Sequence, residues 1–293
     1  MNSKKLPPDF SALISLLDDP DTEAFRHVRE QISALGPVAV APLEAAWENS
    51  FDPVMQQRIE ELVHMIQLDQ LLSDFRLWLV SKDQDLLNGY LLLTRFQYPD
   101  LNVAKVLGQF EHITRDIWLE LNNNLTSLEK IKVLNHIIFL VYKFTGSPEP
   151  SAPENYFLNI LLESRQGSPL SIGMLYLIAA QRLEIPIQGI DLPRHFVVAY
   201  TNQVPDQNVS GMDSLEIQFY INPFAKGAVF SRKELSEYLK QINVEPEEQF
   251  YLPCTNVQLI RRMILELQEA YLSNGKDTKA EELKRFLDTI DEV

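Results

Sequence analysis

The order of apolar and polar positions along the chain predicts helices at both ends and strands only in between. Apolar residues recur at helical spacing over residues 1–70, with breaks at Asp19-Pro20, Gly36-Pro37 and Asp52-Pro53. Helical spacing continues to residue 145, where six side chains mark the buried face of one helix: Leu86, Leu87, Tyr90, Leu91, Leu93 and Phe96. The first 145 residues are therefore predicted to be helical.

Capping patterns place the starts of several helices. A serine or threonine followed three residues later by glutamate or glutamine can satisfy the free amide groups of a helix start from both sides. Such pairs occur at Thr126/Glu129, before the apolar stretch 131–142, and at Ser151/Glu154, Ser231/Glu234 and Thr255/Gln258. The second pair predicts a helix over residues 153–164, which begins within the end of the proline-rich loop 145–155. The run 136–142, HIIFLVY, is predicted to be a core helix.

The middle of the chain changes from a buried helix to strands. Nearly every residue over 170–183 is apolar, which is typical of a helix buried on all sides. After Ile185-Pro186 the pattern shortens to about three antiparallel strands, separated by a polar loop over residues 202–214. A final helix is expected over residues 277–289. These elements predict a mostly helical α+β fold, in which a buried helix packs on a small antiparallel sheet between helical N- and C-terminal segments.

The predicted domains are a helical segment over residues 1–72, a second helical region over 73–150, the α+β core over 151–245 and a helical hairpin over 246–293. The helices of the first segment resemble HEAT-type repeats, although an ordinary helical extension that covers the main domain would give the same pattern. Fewer than two full repeats cannot bury their apolar face alone. A HEAT-like segment would therefore have to pack on its neighbour or on a partner.

Composition and charge narrow the classes of function. The chain has 293 residues, 45% of them apolar, and its 26 basic and 41 acidic residues give a net charge of -15. Such a charge repels phosphate backbones and anionic lipids, so neither nucleic acid nor a membrane is expected as a partner. The apolar run 136–142 is far shorter than the about 20 residues of a membrane helix.

Cysteine and histidine usage adds further expectations. The one cysteine, Cys254, cannot form an internal disulfide, and the first ten residues show no secretory signal, so a cytoplasmic protein is expected. Four histidines lie in helical segments without ligand spacing, so no metal is expected: His27, His64, His112 and His136. With 10 glycines and no glycine-rich phosphate loop, no nucleotide cofactor is expected either.

Residues 167–200 are organised like a papain-type acyl-transfer site, with a buried helix followed by a strand that carries a histidine. Three motifs surround this region, Arg165-x-Gly167-x-Pro169, Pro193-x-His195-Phe196 and Asn222-Pro223-Phe224-x-x-Gly227. In this order and at these separations they resemble the SirB family of transglutaminase-like proteins. The resemblance extends over roughly residues 86–290.

The resemblance implies a papain-like transglutaminase core, in which the nucleophile lies in the first turn of the helix and the strands carry a histidine and then a carboxylate or amide. His195 matches the histidine, and Asn222 matches the third position, where the family more often has aspartate. An amide oxygen can still orient an imidazole, but it lacks the charge that stabilises an imidazolium. The nucleophile position falls at or next to Pro169, which has no reactive atom.

The residues beside the missing nucleophile allow two interpretations. Ser168 followed by Pro169 is the ordinary start of a helix, a capping residue and a first-turn proline. Ser171 lies in the first helical turn and is the candidate nucleophile in place of a cysteine. Arg165 and Gly167 are expected to shape the turn into the helix. Cys254 is expected to be a small buried apolar side chain, because nothing near it in sequence supplies a base.

Two further positions depart from the family pattern. Arg194 replaces the glycine that usually precedes the histidine, and its charge would disfavour protonation of His195. Glu184 replaces the glycine that usually follows the central helix, so the left-handed helix stop is expected to be made differently. Together with Asn222, these departures indicate relaxed catalytic demand. The simplest interpretation of His195 is a buried imidazole hydrogen-bonded to Asn222.

We therefore expect a catalytically degenerate domain that binds a protein or peptide as a scaffold module. Its cleft would be lined by Arg165, Gly167, Pro169, Arg194 and Phe196. His195 and Arg194 could hold an acidic or amide group of a bound peptide. The alternative is an amide-acting hydrolase or acyl transferase, with Ser171 as nucleophile, His195 as base and Asn222 as orienting group.

Overall fold

The structure is a computed structural model that describes residues 6–18, 21–193, 195–202 and 216–293. It divides into two units after Arg76. The first unit contains α1 (Phe10–Ser15), α2 (Thr22–Leu35), a 3₁₀ turn (Gly36–Ala39), α3 (Val40–Asn49) and all but the last three residues of α4 (Pro53–Leu79). The predicted helix breaks at Gly36-Pro37 and Asp52-Pro53 are confirmed. The one at Asp19-Pro20 lies outside the described residues.

The first unit has its own apolar core. Gly36 ends α2 with a φ of 73°, a left-handed backbone that glycine adopts without a Cβ clash. The chain can then return, and buried side chains of three helices meet: Val28 and Ile32 of α2, Leu43 of α3, and Ile59, Leu62 and Ile66 of α4.

The second unit begins with three helices, α5 (Leu86–Gln97), α6 (Val103–Glu120) and α7 (Ser127–Asn135). All six side chains predicted for the buried face of α5 are buried. The capping box of Thr126 and Glu129 at the start of α7 is also confirmed. The side chains of Asp85 and Asn102 cap α5 and α6 by accepting backbone N–H bonds.

Two predictions for residues 136–164 are corrected. The run 136–142 is a π-helical turn (His136–Val141) in which Leu140 is 63% exposed, so only part of it is core. The predicted helix over residues 153–164 is instead a 3₁₀ turn (Pro153–Tyr156) and a separate helix α8 (Leu158–Ser164). Phe157 has an extended backbone between them, and Ser151 does not form the expected cap.

The central helix α9 (Pro169–Arg182) packs against a sheet that has four antiparallel strands in the described residues. In their order across the sheet, those strands are β3 (Ile187–Leu192), β4 (His195–Thr201), β5 (Ile217–Asn222) and β6 (Ala228–Phe230). Sequence reasoning missed the three-residue β6 and a separate parallel pair, β1 (Thr145–Gly146) with β2 (Gln166–Gly167). Such short strands are too brief for an alternating pattern. The polar loop predicted over 202–214 lies almost entirely outside the described residues.

The other face of the sheet is covered by α10 (Arg232–Gln241), whose Leu235 and Leu239 pack with Val197 and Tyr220 of the strands. A 3₁₀ turn (Glu248–Tyr251) and the antiparallel helices α11 (Asn256–Ser273) and α12 (Asp277–Asp291) complete the unit. The capping boxes at the starts of α10 and α11 are confirmed. The predicted fold class, mostly helical α+β with a buried helix on a small sheet, is therefore confirmed.

The end of α9 corrects a further expectation. Glu184 itself adopts the left-handed backbone, with a φ of 53°, so the helix stops as it would with glycine. The Cβ atom of Glu184 makes this conformation strained. Among the described residues, no helix is both long and apolar enough to cross a membrane.

Candidate functional site

The start of α9 is closed by its own hydrogen bonds. Ser168 caps the helix, because its Oγ accepts a 3.1 Å bond from the backbone N–H of Ser171, and Pro169 occupies the first turn, as predicted. The hydroxyl of Ser171 donates a 3.0 Å bond to the carbonyl oxygen of Ser168, whose own hydroxyl lies 3.2 Å from Ser171 Oγ. Both serines are buried. The polar atoms of this turn are therefore engaged with one another.

Gly167 and Tyr90 pack against the same turn. A Cβ added to Gly167 would lie 2.5 Å from Ser171 Oγ and 2.7 Å from Leu161, so a side chain at this position would force one of them to move. Tyr90 also faces the turn: burial raises the pKa of its phenol, and the hydroxyl of Ser171 opposes that rise. Ser171 is thus enclosed by packing at the start of the helix.

His195 opens β4 and faces α10. Its Nδ1 lies 2.6 Å from the hydroxyl of Tyr238, and the two rings meet edge to face with centroids 5.0 Å apart. The imidazole is exposed, and within the described residues its Nε2 has no hydrogen-bond partner. The next residue, Phe196, points to the opposite face, since its ring would lie 2.2 Å from a Cβ added to Gly173 of α9. The structure therefore brings His195 to Tyr238, and it does not bring Ser171 to His195.

Asn222 ends β5 and holds the turn that follows. Its Oδ1 accepts a 3.1 Å bond from the N–H of Ala225, and its carbonyl accepts a 2.9 Å bond from the N–H of Gly227. Gly227 has a φ of 74° and an added Cβ would lie 1.9 Å from Oδ1 of Asn135, so the turn requires glycine. The interpretation of a buried imidazole bonded to Asn222 is corrected. The imidazole of His195 is exposed and its Nδ1 is hydrogen-bonded to Tyr238, while the amide oxygen of Asn222 accepts a bond within its own turn.

His195 and Asn222 nevertheless line the same cavity, of about 210 Å³, between the sheet and α10. We call it the histidine cavity. Its other lining residues are Leu192, Val197, Phe230, Glu234, Leu235 and Tyr238. Bonds from the backbone N–H and hydroxyl of Ser231 lower the pKa of Glu234, whose carboxylate serves the capping box of α10. The cavity has apolar walls and a few polar groups, the usual composition of a binding site.

Arg262 of α11 fixes the hairpin that carries His195. Its guanidinium donates to the carbonyl oxygens of His195, at 2.9 Å, and Leu192, at 3.1 Å. It also pairs with the carboxylates of Asp191 and Glu266. Sequence reasoning missed Arg262, Tyr238 and Glu234. No local pattern marks Arg262, because its partners on the strands lie about 70 residues earlier in the sequence.

Arg165, matched to the family motif, ends α8 in a left-handed conformation with a φ of 63°. Its guanidinium lies over the rings of Tyr142, at 5.2 Å, and Phe144, at 5.1 Å. Burial lowers its pKa. Arg165 thus shapes the entry to β2 and α9, as expected, and packs on two aromatic rings. Arg194, the remaining cleft candidate, lies outside the described residues.

Cys254 packs against β3. Its thiol donates a 3.2 Å bond to the carbonyl of Gly189 on β3. Burial, and secondarily the charge of Asp191, raise the pKa of the thiol to about 12, so it is protonated at neutral pH. Across the described ranges, no group of three or more histidine, cysteine, aspartate or glutamate side chains is placed to hold a metal ion.

Comparison with known proteins finds bacterial and animal relatives. The chain is 25% identical over 206 residues to the UPF0162 protein of Xylella fastidiosa (strain 9a5c), covering 67% of this chain and 68% of that protein. It is 24% identical over 200 residues to the UPF0162 protein of Vibrio cholerae, covering 67% and 70%. It is 25% identical over 159 residues to the human F-box only protein 21, covering 54% of this chain but only 24% of that protein.

No solved structure matches the chain at a significant level. The family whose model matches is described as the transglutaminase-like superfamily, and the match extends over residues 104–265, more than half of the chain. That region contains α9, β4 with His195, β5 with Asn222 and the histidine cavity. The chain belongs to the transglutaminase-like superfamily.

Proposed function

We propose that this protein is a SirB-type member of the superfamily that has lost acyl-transfer chemistry and binds a peptide segment of a partner protein. The observation that carries the proposal is the start of α9. The resemblance places the nucleophile at or next to Pro169, and the two serines of that turn are buried and bonded to each other. A nucleophile needs a base within hydrogen-bond reach, and the base candidate His195 bonds to Tyr238 on the other face of the sheet.

The histidine cavity is the proposed binding site. At about 210 Å³ it is smaller than the about 300 Å³ at which pockets for small molecules begin, which suits one side chain of a peptide better than a whole metabolite. Leu192, Val197 and Leu235 offer that side chain an apolar surface. Nε2 of His195 and the amide of Asn222 lie at the same cavity, where they can bind the peptide's amide or acidic groups.

Arg194 belongs to the same proposal. It directly precedes His195 in the sequence, and its guanidinium is proposed to supply a cation to the bound peptide. A peptide carboxylate held by Arg194 and His195 would gain charge-assisted hydrogen bonds, which are stronger than neutral ones.

We also propose that the first unit is HEAT-like and offers a second protein-binding surface. Its helices α2, α3 and α4 follow one another through short turns, as in helical repeats. Phe51, in the turn between α3 and α4, is 97% exposed, and Val54 beside it is also exposed. An aromatic ring left in water at a loop tip is the kind of anchor that protein partners bury. A cytoplasmic location is part of this proposal.

Peptide display on the full chain tests the binding function. Random peptides of about 12 residues would be selected, and their Kd measured for the wild type and for Tyr238→Phe and Arg194→Ala. We expect saturable binding that each variant weakens about 3- to 10-fold, because each removes one polar contact or its support. Glu237→Gln is the matched control, since Glu237 lies on α10 but does not line the cavity.

The competing enzyme function is tested with the same protein. Amide and ester substrates, and a serine-reactive fluorophosphonate, would be applied to the wild type and to Ser171→Ala. The proposal expects no turnover and no labelling that depends on Ser171. Turnover or labelling that Ser171→Ala abolishes would replace the binding function with hydrolysis or acyl transfer. Peptide display that finds no saturable binding would rule out the binding function.

A further inference from the structure

A second cavity, of about 450 Å³, lies between α5, α6 and the end of α9. We call it the arginine groove. Six of its lining residues lie on α6 at positions 107, 110, 111, 114, 115 and 118, the three- and four-residue spacing of one helix face. The other walls are Leu87 and Asn88 of α5 and Arg182 and Leu183 at the end of α9. None of these residues lines the histidine cavity.

The floor of the arginine groove is apolar. Leu87 and Phe110 are buried beneath it, and Leu107 and Leu183 are half-buried at its sides. Trp118 closes one end and is 63% exposed. A ligand that covered this exposed indole would gain about 25 cal/mol of binding free energy for each Å² of apolar area buried. The groove therefore favours a ligand with apolar or aromatic side chains.

The side chains that line the groove are more basic than the chain as a whole. Arg115 and Arg182 both line it, against the single carboxylate of Glu111, whereas the whole chain has a net charge of -15. Both arginine side chains are substantially exposed, 62% and 48%. Arg115 lies 3.9 Å from the carboxylate of Asp116 and 3.1 Å from Nδ1 of His112. Arg182 donates to both carboxylate oxygens of Asp85, at 3.5 and 3.4 Å. A guanidinium has five N–H donors, so each can still bind a carboxylate of a ligand.

We propose that the arginine groove binds an acidic, aromatic peptide segment of a partner protein, with carboxylates on Arg115 and Arg182 and an apolar side chain against Trp118. The occupant follows from charge complementarity, since a basic peptide would meet two guanidinium groups and an acidic one is attracted by them. The site is separate from the histidine cavity and does not depend on the function proposed there.

The test uses a fluorescein-labelled peptide of sequence Asp-Phe-Glu-Asp-Leu-Phe with a C-terminal amide, and a matched peptide with lysine at each acidic position. Anisotropy titration of the full chain is expected to give saturable binding of the acidic peptide, at least 10-fold tighter than the lysine peptide. Arg115→Gln and Trp118→Ala should each weaken binding at least 5-fold. Both side chains are exposed, so unchanged Tm values are expected to show that the variants fold.

Two controls separate this site from charge in general and from the other proposal. Arg26→Gln removes one exposed cation of the first unit, and it should leave the affinity unchanged. Arg115→Gln should cause the same loss in a His195→Ala background, in which the histidine cavity lacks its imidazole. Absence of saturable binding up to millimolar protein, equal binding of the lysine peptide, or full affinity in Arg115→Gln would overturn the proposal.

Discussion

The start of α9 and the histidine cavity are parts of one superfamily domain, but they differ in what their polar atoms do. At the start of α9, Ser168 and Ser171 are buried and bond to each other. At the histidine cavity, His195 is exposed, and within the described part of the chain its Nε2 has no hydrogen-bond partner. A group that is satisfied inside its own turn supports the fold, whereas one that faces a cavity can serve a ligand. The inherited fold therefore carries its open polar groups on the α10 side of the sheet.

The largest change is predicted for the thiol of Cys254, which lies outside both regions. The pKa of the Cys254 thiol rises from 9.0 to about 12, so the thiolate fraction at pH 8 should be about 1,000-fold lower than for a free thiol. Alkylation by iodoacetamide at pH 8 should therefore be at least about 100-fold slower in the folded protein than in urea. Because folding favours the protonated thiol, this group's stabilising effect is present below pH 9 and is lost as the pH rises toward 12. Fast alkylation of the folded chain would return Cys254 to the candidate nucleophiles.

The second prediction concerns the support of the histidine cavity. Arg262→Ala removes the donors to the carbonyls of Leu192 and His195 and leaves two carboxylates without their cation. We expect a loss of about 2–4 kcal/mol in the free energy of unfolding, measured with urea. The control is Arg261→Ala, whose exposed pair with Asp291 should contribute less than about 1 kcal/mol. Equal losses in the two variants would show that Arg262 does not hold the hairpin.

The third prediction tests how tightly the start of α9 is closed. Gly167→Ala places a Cβ against Ser171 Oγ and Leu161, and should destabilise the fold by about 1–3 kcal/mol through overpacking. Adding Ser171→Ala removes the nearer of the two clashes. The double variant should therefore recover part of the loss of Gly167→Ala, and strictly additive losses in a double-mutant cycle would contradict the closed geometry.

These contrasts show what the sequence could and could not reveal. The caps at Thr126, Ser168, Ser231 and Thr255 were predictable because both partners lie within three residues of each other. The direction of His195 was not, since it depends on which face of β4 meets α9, and Phe196 takes that face. Arg262 reaches its partners across about 70 residues of sequence, a distance that no local pattern encodes.

The smallest expected effect is at the end of α9, where a departure from the family pattern is paid in backbone strain. Glu184→Gly should stabilise the fold by about 0.5–1 kcal/mol, because glycine adopts the φ of 53° without a Cβ clash. Glu237→Gly, inside α10, should instead destabilise by a similar amount. Thermal unfolding of both variants provides the measurement, and a destabilised Glu184→Gly would show that the side chain contributes more than its strain costs.

The most direct test of the central claim compares His195→Ala with Ser171→Ala in binding one peptide selected on the full chain. Isothermal titration calorimetry would give Kd for the wild type and for both variants. We expect His195→Ala to weaken binding about 10-fold and Ser171→Ala to leave Kd within about 2-fold of wild type, because His195 lines the cavity and Ser171 does not. Unchanged affinity in His195→Ala, or a loss confined to a Ser171→Ala protein of normal Tm, would contradict this expectation.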